Sequence, residues 1–171
     1  PLFYYFGNRQ MKITDCTKHK KYYATHQLMM SKLCTYENAY TLMWNIRNLQ
    51  KLKEKLEDTN YFYGRFRIPK FSFETRGLQL YLKMEYMFGK QLYKESVTKE
   101  LRDMVWEDMV NTDDPYTFKD FNLDNFIRRG TKPLAEGDPY WEYAYVDLEA
   151  YGVSDKPKRV DKFKTNPQWQ L

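Results

Sequence analysis

Residues 35–58 read TYENAYTLMWNIRNLQKLKEKLED. Ala39, Leu42, Met43, Ile46, Leu49, Leu52 and Leu56 recur at helical spacing and form one apolar stripe. Arg47, Lys51, Lys53, Glu54, Lys55 and Glu57 take the opposite side. Thr35 offers a cap oxygen for the first turn, and Thr59-Asn60 a stop. This helix sets the expectation for the segments around it.

Working outward, residues 22–33 are compatible with a helix, and residues 75–94 carry Leu78, Tyr81, Met84, Phe88 and Leu92 on one helical side. Residues 98–110 repeat the pattern with Leu101, Met104, Val105 and Met109, and Trp106 at the flank. A short helix over 120–129 would bury Phe121, Phe126 and Ile127, with Gly130 as its C-terminal cap. Residues 61–73 read as extended, because Pro69 excludes a helix interior. The expected fold class is mainly α: a small body of three to four helices over 22–130. Extended segments at 1–21 and 131–171 would flank it, the second punctuated by Pro133, Pro139, Pro157 and Pro167.

Composition sharpens the picture. Mean hydropathy is -0.84, as polar as many disordered chains, yet 18% of the 171 residues are aromatic: 16 Tyr, 11 Phe and 4 Trp. Disorder does not carry that ring content. No stretch approaches the roughly 20 apolar residues of a membrane helix, and no secretion signal is expected. The net charge of +5 is uneven: residues 1–71 hold 13 basic and 5 acidic side chains. Such a surplus favours an acidic partner or RNA at the N-terminal region.

Candidate chemistry is sparse. Cys16-x2-His19-x6-His26-x7-Cys34 assembles two thiols and two imidazoles, a closed zinc set at a spacing that matches no standard finger. Asp120-x-Asn122-x-Asp124 opens like a calcium loop, but Asn125 stands at the glycine position and Thr131 at the final glutamate position. Asp113, Asp114, Asp120 and Asp124 are accounted for as caps of turns and helix starts. No Gly-x-Gly phosphate loop and no nucleophile elbow is present. The expectation is therefore a protein without catalytic residues, cofactor or metal.

Tyr4-Tyr5 followed by Ile13-Thr14-Asp15-Cys16 resembles the Tyr-rich and Ile-Thr-Glu-Cys segment of the PDSW accessory subunits of respiratory complex I, over 13 of the 171 residues. The further cysteines of that family are missing, and no residue roles carry over. In composition the chain resembles supernumerary subunits of mitochondrial assemblies. The resemblance implies an accessory structural subunit of a large complex, with a mitochondrial respiratory-chain complex as host, and otherwise an intracellular protein. Its neighbours would be other protein subunits, docked through Phe3, Tyr4, Tyr5, Phe6, Arg65, Arg67, Tyr140, Trp141, Tyr143, Tyr145 and Trp169. An RNA-binding or mitochondrial ribosome-associated protein is the alternative, using Lys18, Lys20, Lys21, Arg65 and Arg67 with Tyr61, Tyr63 and Phe66. A small zinc-binding module is the third.

Overall fold

The helix read from 35–58 is present as α1 (Ala39–Asp58) in the structure, a computed structural model that describes residues 3–6, 9–15, 28–134 and 137–171. Asn38, not Thr35, caps it, its side chain accepting from the Thr41 N–H at 2.9 Å. Leu42, Leu49, Leu52 and Leu56 are buried along the expected stripe, whereas Tyr40 and Met43 face solvent.

The helix starts late because the residues before it form a strand. β1 (Phe3–Phe6), β2 (Arg9–Asp15), β3 (Leu28–Thr35), β6 (Phe71–Arg76) and β7 (Gln79–Glu85) build one antiparallel sheet in the order β1-β2-β3-β7-β6. Along β3, Met30, Lys32 and Cys34 are buried while Leu33 is 49% exposed, a period of two. The expected helix over 22–33 is thus corrected across its described part. The helix expected over 75–94 is likewise a hairpin. Leu80, Leu82 and Met84 are buried on alternate residues of β7, and Gly77 at φ 58 opens the two-residue loop that joins it to β6.

A second sheet runs β4 (Phe62–Tyr63), β5 (Phe66–Arg67), β11 (Tyr143–Tyr145), β10 (Phe126–Arg129), β8 (Gly89–Gln91). Gly89 lies against β10 so closely that an added Cβ would collide with the Arg128 carbonyl. A two-stranded ladder pairs β9 (Tyr116–Phe118) with β12 (Tyr151–Val153). The helix expected over 98–110 is present as α2 (Lys99–Val105), capped by Thr98 and continued by one π-helical turn, Trp106–Val110. The helix expected over 120–129 is replaced by a 3₁₀ turn, Leu123–Asn125, running into β10. Gly130 caps no helix; its N–H donates to the Phe88 carbonyl.

The fold is therefore mixed α/β with three sheets among the described residues, not mainly α. The flanks are corrected too. β1 and β2 belong to the first sheet. The C-terminal segment supplies the middle strand of the second, plus α3 (Lys156–Thr165). Trp169, Tyr145, Tyr151, Phe163, Tyr143 and Trp141 are all buried, so the tail lies inside this chain's own core. The rings are continuous: Phe163–Trp169 at 5.5 Å, Trp169–Phe126 at 5.5 Å, Phe126–Tyr145 at 5.0 Å, Tyr145–Phe118 at 4.3 Å. Tyr and Trp hydroxyl and indole groups survive this burial because they find acceptors: Trp169 Nε1–H donates to the Phe121 carbonyl at 2.7 Å and Tyr63 OH to Thr117 Oγ1 at 2.9 Å.

Candidate functional site

Strand β3 and the residue just past it aim three donors at one carboxylate. Lys32 and Cys34 share a face of the strand by its two-residue period, and Tyr36 follows just beyond its end. Lys32 Nζ lies 2.6 Å from Glu149 Oε1, Cys34 Sγ–H donates to the same oxygen at 3.0 Å, and Tyr36 OH donates to Oε2 at 3.3 Å. Lys32 Nζ is also 3.9 Å from Asp147 Oδ1. Lys32, at 8% exposure, is the buried lysine among the described residues. Burying an ammonium demands this kind of compensation.

Asp147 and Glu149 belong to the turn after β11, and that turn is strapped to the loop before β10. The Val146 N–H donates to the Asn125 carbonyl at 3.0 Å, and the Lys119 N–H to the Ala150 carbonyl at 3.0 Å. Between the straps, Tyr145 OH donates to the Asp120 carbonyl at 2.7 Å. Burial raises the Tyr145 hydroxyl well above its ordinary pKa; the charges of Asp147, Asp120 and Asp124 push the same way, and the nearby Asn125 amide opposes them. The charges of Asp120, Asp124 and Asp147 are thus all felt at one buried phenol. The Asp120 carboxylate is held by the Asn122 N–H at 3.0 Å.

The loop is unsatisfied in two places. Asp124 Oδ1 and the Nδ2 of Asn125, itself 1% exposed, are buried with no hydrogen-bond partner. A cation beside the first and an acceptor beside the second would satisfy them. Among the described residues no three His, Cys, Asp or Glu side chains gather into a closed metal set. Mg²⁺ needs no such set, since one or two carboxylates with phosphate oxygens and water suffice. Chemically, the arrangement offers a fixed cation for anionic oxygens, carboxylates for a divalent ion, and a further carboxylate, Asp120, for a proton.

The residues singled out in the sequence lie elsewhere or are occupied. Cys16, His19 and His26 lie outside the described residues, as do Lys18, Lys20 and Lys21; Cys34 serves Glu149. Phe3, Tyr4, Tyr5 and Phe6 form β1. Arg65 is exposed but gripped by Asp108 at 3.0 Å and Glu107 at 2.6 Å. Arg67 is buried with Glu85 at 2.9 Å. Trp141, Tyr143, Tyr145 and Trp169 are core, and Tyr140, 65% exposed, lies under the Arg129 guanidinium at 4.8 Å. No helix among the described residues is long and apolar enough to cross a membrane.

Sequence reasoning missed Lys32, Asp147 and Glu149, and set Asp120 and Asn125 aside as parts of a failed calcium loop explained by turn capping. A signal existed in the spacing Asp120-x4-Asn125 and in Asp147-Leu148-Glu149 right after a Tyr-Ala-Tyr strand. No protein-family model matches the chain, and no curated protein matches it.

Proposed function

We propose that the chain is a nucleotide-dependent phosphotransferase with the site logic of protein kinases. That logic comprises a lysine on the third strand for the phosphates and an Asp-x4-Asn loop giving base and metal ligand. It adds an Asp after the following hairpin for Mg²⁺. Here Lys32 is on β3, Asp120 and Asn125 have the five-residue offset, and Asp147 follows the β10–β11 pair, all in the same chain order. The observation that carries the reading is spatial: Lys32 meets Asp147 at 3.9 Å, on the turn strapped to Asn125. Asp147 and Asn125 would hold Mg²⁺, Lys32 the phosphate oxygens, and Asp120 would accept the proton of the acceptor hydroxyl. Bound Mg²⁺ supplies charge neutralisation at the transferring phosphoryl group.

Two kinase features differ. The β1–β2 connection holds a single glycine, Gly7, and the acids of α1 are Glu54, Glu57 and Asp58, exposed near its far end. The test is equilibrium binding of Mg·ADP together with ATP turnover. Asp147→Asn should weaken Mg·ADP at least tenfold, and Asp120→Asn should bind it normally while losing turnover. Wild-type protein that ignores millimolar Mg·ADP would refute the assignment.

An assembly-subunit role is the second reading. One observation favours it: α1 presents Tyr40, Met43 and Trp44 to solvent at 79%, 68% and 44% exposure. Sedimentation of the chain alone from a native extract would contradict that role.

A further inference from the structure

A buried lysine that is to hold phosphates must first be held itself, and α1 cannot do it. In protein kinases the third-strand lysine is paired by a glutamate on the helix that follows. Here the first turn of α1 carries no acid, its buried polar residue is the neutral Asn48, and its acids sit exposed near the opposite end. The counter-charge comes instead from 117 residues downstream, where Glu149 takes Lys32 at 2.6 Å.

We infer that Glu149 is the positioning residue for Lys32, so that one turn, 147–149, places both the lysine and the Asp147 carboxylate. This rests on the phosphotransferase reading. Both Glu149 oxygens are engaged from β3 and the residue just past it: Lys32 and Cys34 on Oε1, Tyr36 on Oε2. Three donors, two from β3 and one just beyond its end, fix the rotamer of the carboxylate, and the carboxylate fixes the ammonium. Asp147 reaches the same Nζ at 3.9 Å against 2.6 Å for Glu149, so Glu149 makes the closer ion pair of the two acids. The consequence is regulatory. No ion pair from α1 to Lys32 exists to be broken, so a displacement of α1 has no charge contact with which to switch the lysine off.

The experiment measures Mg·ADP affinity of the full chain by a fluorescent ADP analogue and by calorimetry, with melting temperature recorded for each variant. Glu149→Gln keeps the shape and removes the charge; it should weaken Mg·ADP about tenfold. In a Lys32→Met background the same substitution should add less than twofold, because its effect passes through the lysine. Trp44→Ala, on the outer face of α1, should stay within twofold of wild type. Should Glu149→Gln fail to fold, Tyr36→Phe removes one donor from Oε2 and should weaken binding about threefold. Unchanged affinity in Glu149→Gln, or in Tyr36→Phe if that is the variant measured, overturns the inference while Mg·ADP binding by wild type stands. So do fully additive losses in the double variant. Absent binding by wild type instead removes the phosphotransferase reading on which the inference rests.

Discussion

Glu85 closes β7 with a charge that the core has to neutralise. It is 7% exposed, pairs with the Arg67 guanidinium at 2.9 Å and accepts the Lys70 N–H at 3.1 Å, while Arg67 also donates to the Ile68 carbonyl. Glu85→Ala should lower unfolding free energy by about 3–5 kcal/mol, since it strands a buried guanidinium, and a paired Arg67→Met/Glu85→Leu chain should recover much of it. Denaturant titration of the three variants checks this. At the other end of the exposure scale, Lys156 bonds Asp113 and holds its carboxyl below the ordinary 3.8. Burial pushes Asp114 up, but the Tyr116 N–H and Lys55 outweigh it and its carboxyl also lies below 3.8. A carboxyl depressed in the folded state stabilises fully above its unfolded pKa and loses that contribution as pH falls through the folded value. Melting temperature should therefore drop on acidification below about pH 4, with a shallower drop in Asp113→Asn/Asp114→Asn. An acid limb unchanged by the double substitution would contradict these pairings.

The elements differ in how plainly they are written. α1 was legible because Leu42, Leu49, Leu52 and Leu56 repeat at helical spacing and nothing competes with that period. β7 was not, because Leu78, Tyr81, Met84 and Phe88 mimic a helical stripe across a segment whose buried residues are Leu80, Leu82 and Met84. Long-range pairing with β3 decides between the two periods, and a local window does not contain it. The C-terminal segment was misread for a related reason: its prolines break local structure, yet β11 gains partners from β10 and β5, far away in sequence. The site shares this origin. Asp120 reads as a turn cap in isolation, and only the β10–β11 register brings Asn125 beside Val146 and Asp147 within reach of Lys32. Since Trp169 is fully buried against Phe126 and Phe163, Trp169→Ala should cost about 3–5 kcal/mol. Hydrogen exchange should find the amides of β11 and α3 as slow as those of α1. Fast exchange in β11 of the isolated chain would contradict its place in the core.

Across the whole molecule, the polar mean and the wealth of rings stop conflicting once the rings are located. Tyr63, Phe66, Phe118, Phe126, Tyr143, Tyr145, Tyr151, Phe163 and Trp169 are buried in this chain's own core, with their polar tips satisfied locally where hydrogen bonds are formed. The core joins the second sheet, the β9–β12 ladder and α3, and against it the 147–149 turn, strapped to the 119–125 loop, meets Lys32. The proposed function requires this meeting point to be a nucleotide site. Thermal unfolding of the intact chain with and without Mg·ADP tests it most directly. At a hundredfold excess over Kd, binding adds about 2.7 kcal/mol, an upward shift of roughly 5–11 °C for a chain of this size. The shift should require Mg²⁺ and should fall to about half or less in Lys32→Met and Asp147→Asn. No shift with wild type at millimolar Mg·ADP, or an equal shift in both variants, would contradict the account.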